Sequence, residues 1–177
     1  MPSLTHSRAV LLAVASALAL APHAIAANVG DVPVSAQVAI YRHVLDAHKG
    51  PTGYPEPVFL ATGKGRARLD PPLPVLRALA GTGVDVRPFR QKSAFEHEWL
   101  ENHPEPAGDS EARNTATLIS IESLAFPSTT DATARVRINW YAVGRGDYGA
   151  SELHKIELRR TGGSWTVTTD DVIDAAG

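Results

Sequence analysis

The chain has 177 residues, 44% of them hydrophobic, with 17 Lys plus Arg against 19 Asp plus Glu and no cysteine. A net charge of −2 leaves no basic surface to neutralise phosphates, which argues against nucleic acid as a partner. The missing cysteine excludes disulfide stapling, thiol catalysis and a lipoprotein anchor.

Residues 1–26 read as a secretory leader. Arg8 marks a short n-region, an apolar run covers 9–21, Pro22 breaks it, and Ala24 and Ala26 supply the small-x-small pair before a cut. A run of about a dozen residues is too short to span a bilayer, which needs about 20. The expectation is a leader removed after Ala26 and one domain over 27–177, exported to the periplasm or beyond, with no membrane anchor. Cleavage removes Arg8 and no acid, so the net charge of −2 becomes −3. A chain of about 150 residues buries about 68–70% of its unfolded surface and can rest on its own core.

In chain order, residues 34–48 place Val34, Val38, Tyr41, Val44, Leu45 and His48 on one helical stripe, with Gln37, Arg42 and Asp46 turned away. Pro33 suits the start of that helix and Gly50-Pro51 its end. A short apolar run over 58–61 suits a strand or extended segment. A helix over 74–80, ended by Gly81, and an extended piece over 84–86 follow. Ser93 with Glu96 forms a capping-box pattern for a helical turn or two before Pro104, and 105–114 is a polar, exposed loop.

From Thr115 the period changes to two. Four β-rich segments, "TATLISIESLAF", "TARVRINWYAV", "SELHKIELRR" and "WTVTTDDV", are joined by short turns, the last at Gly162-Gly163. The expected fold class is α+β: an N-terminal helix packed on a C-terminal four-stranded antiparallel meander. "VAIYRHVLDAHKG", "PVFLAT" and the closing "GGSWTV" resemble a group of bacterial exported proteins of unknown function, whose sheet ends are similar to the NTF2-like and cystatin-like superfolds. That resemblance implies the fold and no functional residue, since such folds host enzymes, binders and inhibitors alike.

Few side chains announce chemistry. His97 with Glu101, four apart in "HEWLEN", is the nearest approach to a metal-binding helix, but an exposed i,i+4 pair is the expected explanation and no metal site is expected. His43 and His48 lie five apart, about 140° round a helix, and are expected not to chelate one ion together. His154 alternates with Ile156 and Leu158 and belongs on the core face or its rim, as a base whose partner is not evident. Asp170 and Asp171, as neighbours on a strand, point to opposite faces. "TGKGRARLD" departs from a phosphate loop at both the first Gly and the residue after Lys64, and the 145–147 Arg-Gly-Asp tripeptide is an ordinary turn composition.

Trp165, straight after a tight turn, is expected to pack against the helix or Trp140, or to wall a gap between helix and sheet. Trp140, His154 and Trp165 are therefore the candidate ligand-binding residues. The functional expectation is an exported, non-catalytic binding domain that needs no cofactor and takes a protein partner or a small apolar ligand. The alternatives are a small hydrolase or isomerase using a His and a carboxylate in the same gap, and an inhibitor of an extracellular enzyme presented on the turns around 145–149.

Overall fold

The computed structural model describes residues 33–48, 57–102, 116–142 and 148–176. The expected leader, the expected loop over 105–114 and the 145–147 tripeptide lie outside those residues. Among the described residues no helix is long and apolar enough to cross a membrane.

Helix α1 (Val34–Ala47) begins after Pro33, whose fixed φ and missing N–H suit a helix start. His48 forms its C-cap, with the amide donating to the Val44 carbonyl at 3.1 Å. The buried face is Ala36, Gln37, Ile40, Tyr41, Val44 and Leu45. This corrects the expected stripe: Gln37 turns inward, while Val34 and Val38 fall on the flank of the helix. The segment carries apolar residues on more than one face, and the face through Ile40, Tyr41 and Val44 offers the larger area to the sheet. The Tyr41 hydroxyl donates to the Ala61 carbonyl at 2.6 Å, fixing the helix to the first strand.

Strand β1 (Val58–Thr62) is buried along its whole length. Val58 and Leu60 enter one core cluster, and Phe59 and Ala61 enter another on the opposite face. Such a run, apolar on both faces, needs neighbours on both sides. Helix α2 (Leu73–Leu79) follows, and then β2 (Val86–Pro88), slightly later in the chain than expected and parallel to β1.

Helix α3 (Lys92–Asn102) is longer than expected, and Ser93 is inside it rather than capping it. A 3₁₀ turn over Phe89–Gln91 runs straight into the helix, and the Lys92 amide donates to the Phe89 carbonyl, so a serine cap has nothing to do there. Lys92 pairs with Glu96 and lies 4.6 Å from the centre of the Tyr141 ring.

The sheet has six strands in the order β2-β1-β3-β4-β5-β6, completed by β3 (Ala116–Ala125), β4 (Asp131–Tyr141), β5 (Tyr148–Thr161) and β6 (Ser164–Ala176). It is mixed, which corrects the expected four-stranded antiparallel meander. β1 pairs in parallel with both β2 and β3, and the remaining pairs are antiparallel. The α+β class stands, with three α-helices among the described residues and a sheet dominated by antiparallel pairs.

Helices α1 and α2 cover one face, over Ile119, Ile121, Val136, Ile138, Ile156 and Leu158. Phe89, Phe95 and Trp99 cover part of the other, over Phe59, Leu118 and Tyr141. The outward face further along β4 and β5 carries ion pairs, Lys155 to Glu157 at 2.7 Å along β5 and Arg159 to Asp131 at 3.3 Å across the two strands.

Candidate metal centre

Strand β6 sits at the sheet edge, beside α1. Its inner face begins with Trp165 and Val167, and strict alternation would continue through Thr169 and Asp171. The pairing with β5 does otherwise: Leu158 faces Val167, but Glu157 faces Thr169, so Thr168 is an extra residue in the ladder. This β-bulge resets the period and places Asp170 opposite Ile156, on the inner face. The Thr168 hydroxyl donates to the Glu157 carbonyl at 3.2 Å and helps hold the bulge.

Three histidines converge on the carboxylate so presented. His43 Nε2 lies 2.8 Å and His48 Nε2 2.7 Å from the same oxygen, Asp170 Oδ2. His154 Nδ1, fully buried on β5, lies 2.8 Å from the other oxygen, Oδ1. His154 Nε2 is 3.1 Å from Glu152 Oε2, two residues back on the same strand face. The rings of His48 and His154 meet edge-on, their centroids 4.4 Å apart. Burial pulls the Asp170 carboxyl upward, but the hydrogen bonds from His48, His154 and His43 outweigh it and hold the group below its ordinary value.

His43 and His48 thus meet at one point, against the expectation that their spacing forbids it. The 140° between them is real, but β6 lies between the two directions. Each imidazole then turns only about 70° from the bisector to reach a common carboxylate. His48 is moreover the C-cap, at φ −109°, where helical geometry has relaxed.

His43 Nε2, His48 Nε2 and one Asp170 oxygen lie within 4.8 Å of one another, and His48, Glu152 and His154 form a second such group. A divalent zinc ion with bonds of about 2.0–2.1 Å in a tetrahedron needs ligand atoms about 3.3 Å apart. The two His–Asp170 distances of 2.8 and 2.7 Å would each open by about 0.6 Å to meet that spacing, and the two imidazole nitrogens lie within 4.8 Å of each other. Two imidazoles and one carboxylate suit zinc or another first-row ion far better than calcium or magnesium, which take oxygen donors. Outside that triad, His154 holds the second Asp170 oxygen, and Glu152 holds His154. A chain of this kind orients the ligating carboxylate, while the bond accepted from His154 lowers its basicity. The C-terminal end of α1, where His48 stands, also carries partial negative charge that favours a cation.

The residues singled out from sequence are distributed differently. His154 is in the cluster, on the core face as expected, and its partners are Asp170 and Glu152. Trp165 is 8% exposed and belongs to the main core, its ring edge-on to Phe126 at 5.6 Å and not against Trp140. Trp140 is a half-buried residue at the border of the same core. His97 and Glu101 form an exposed pair at 3.2 Å, and neither belongs to any metal-ligand group among the described residues.

Sequence reasoning missed Asp170 and Glu152 as site residues. A signal for Glu152 was present: in "ELHKIEL" a Glu and a His continue the inward alternation of Ile156 and Leu158, which is unexpected for purely structural positions. No signal for Asp170 was available, because the bulge at Thr168 appears only in the pairing. No family model, curated protein or solved structure matches this chain.

Proposed function

We propose that the protein is an exported binding domain for a divalent first-row metal ion, zinc in the simplest case, held by His43, His48 and Asp170. The observation that supports this reading is the convergence of two imidazole nitrogens on one carboxylate oxygen at 2.7 and 2.8 Å, with His154 fixing the other oxygen. Three protein donors leave one position of a tetrahedral ion open, to water or to a ligand. This departs from the expectation of a domain working without a metal and keeps the expectation of a binder.

A second reading follows from the same open position: a metal-bound water makes the domain a hydrolase. In that case His43 and His48 hold the ion. His154 is a poor general base, since both its ring nitrogens already face carboxylates.

The test is calorimetric titration of zinc into chelator-stripped protein lacking a polyhistidine tag. The expected result is tight binding of a single ion, lost in His48→Ala. Binding no stronger in the wild type than in that variant contradicts the proposal. Turnover of a nitrophenyl ester that requires zinc and His48 moves the balance to the hydrolase.

A further inference from the structure

Helix α1 and strand β6 enclose a groove of about 880 Å³, within the usual range for a small-molecule site. Val38 and Ala39 form its helix wall and Trp165 and Val167 its strand wall. Ser35, Ser164 and Thr166 also line it, and among the described residues its charged or titratable lining is Arg42 and His43, without a carboxylate. Arg42 is held at the rim by donation to the Ala78 carbonyl at 3.0 Å. His43 belongs both to the groove and to the metal triad, while His48 and Asp170 do not line the groove, so His43 is the link between the two.

Building on the metal reading above, we propose that this groove takes an apolar monocarboxylate, its carboxylate filling the open position of the ion and its body lying on Trp165. Two features match that chemistry. Val38, Ala39, Trp165 and Val167 give the groove apolar surface for an aromatic or acyl body, and at its polar end Arg42 and a divalent ion together outweigh the single negative charge of Asp170. An uncharged apolar ligand would use the walls and leave the ion to water. A dianionic sugar phosphate would use the ion and leave the walls bare.

Trp165 therefore has two roles that do not compete. One edge of its ring is in the core against Phe126, and it also contributes to the groove wall. Only 8% of Trp165 is exposed, so the small part of its indole that reaches the groove is held fixed by the core and contact there orders no mobile side chain.

The experiment titrates 2-naphthoate into zinc-loaded and zinc-free protein, following naphthoate fluorescence, with 2-naphthalenemethanol as the uncharged control. The expected result is binding at least about tenfold tighter to the zinc-loaded form, a gain absent for the alcohol. Val38→Glu, which sets a carboxylate among the apolar walls, abolishes that gain, and a zinc titration of the same variant verifies that its metal centre is loaded. Equal naphthoate affinity with and without zinc, in protein that does bind zinc, overturns this inference and leaves the metal reading standing. Failure to bind zinc overturns both.

Discussion

Asp170→Asn separates the cluster from its surroundings most cleanly, because the side chain keeps its shape and loses its charge. In the metal-free protein the Asp170 carboxylate accepts from His43, His48 and His154 at 2.7–2.8 Å. A hydrogen bond to a charged group contributes about 1.5–3 kcal/mol, less where water competes, and the three are not additive. His43 and His48 are partly exposed while His154 is buried. The His154 bond should therefore dominate, for a total loss of about 2–4 kcal/mol. An amide in place of the carboxylate must also point its NH₂ at one of the imidazoles. For a domain of this size the loss corresponds to a fall in Tm of about 4–16 °C.

The assay is urea unfolding of both proteins in the presence of chelator, repeated across pH. The Asp170 carboxyl is held below its ordinary value, so its contribution is fully present above about pH 4 and disappears as pH falls through the lowered folded-state value. The gap between wild type and variant should persist at neutral and mildly acidic pH and close only in strong acid. A gap below about 0.5 kcal/mol at neutral pH would refute the claim that this carboxylate organises the seam between α1 and β6.

Three further outcomes follow from the same geometry. His154→Leu should lower zinc affinity about 10–100-fold, the usual cost of losing a group that orients a ligand, while His154→Asn, which retains a donor near the Nδ1 position, should lose much less; competition with a chromophoric chelator distinguishes the two. His97→Ala should change stability by less than about 0.5 kcal/mol and leave zinc binding intact, since its only described partner is the exposed Glu101; a large loss of affinity would move the metal site to α3. Gly63→Ala should cost at least about 2 kcal/mol in urea unfolding, because φ is +89° and a Cβ would lie 2.4 Å from the Ala67 carbonyl oxygen. Gly162→Ala, at φ +59° in open space, should cost about 1–2 kcal/mol; equal losses would contradict the contact argument.

The legible part of the fold was the part governed by local period. The 3.6-residue pattern before Gly50 located α1 to within a residue, and the change of period from Thr115 located the segments that form β3 to β6. What escaped were the features set by pairing between distant segments. "VFLA" looks the same as an isolated extended run or as the parallel centre of a sheet, and only its partners, β2 and β3, decide.

The site failed to appear in the sequence for the same reason. Counting in twos from Trp165 puts Thr169 and Asp171 inside, and a single unpaired residue, Thr168, exchanges them for Asp170. Helical spacing likewise separates His43 from His48, yet it says nothing of a strand lying between them. His154 was recoverable as an inward histidine and Glu152, two positions before it, by the same alternation, whereas Asp170 was not, because it lies on the next strand beyond the bulge.

X-ray absorption at the zinc edge of the loaded protein tests the central claim most directly. The account predicts a low-coordinate shell at about 2.0–2.1 Å with the outer-shell scattering of two imidazoles, reduced to one in His43→Ala. A six-coordinate shell of oxygen atoms without imidazole scattering, or a spectrum unchanged by His43→Ala and by His48→Ala, would contradict it.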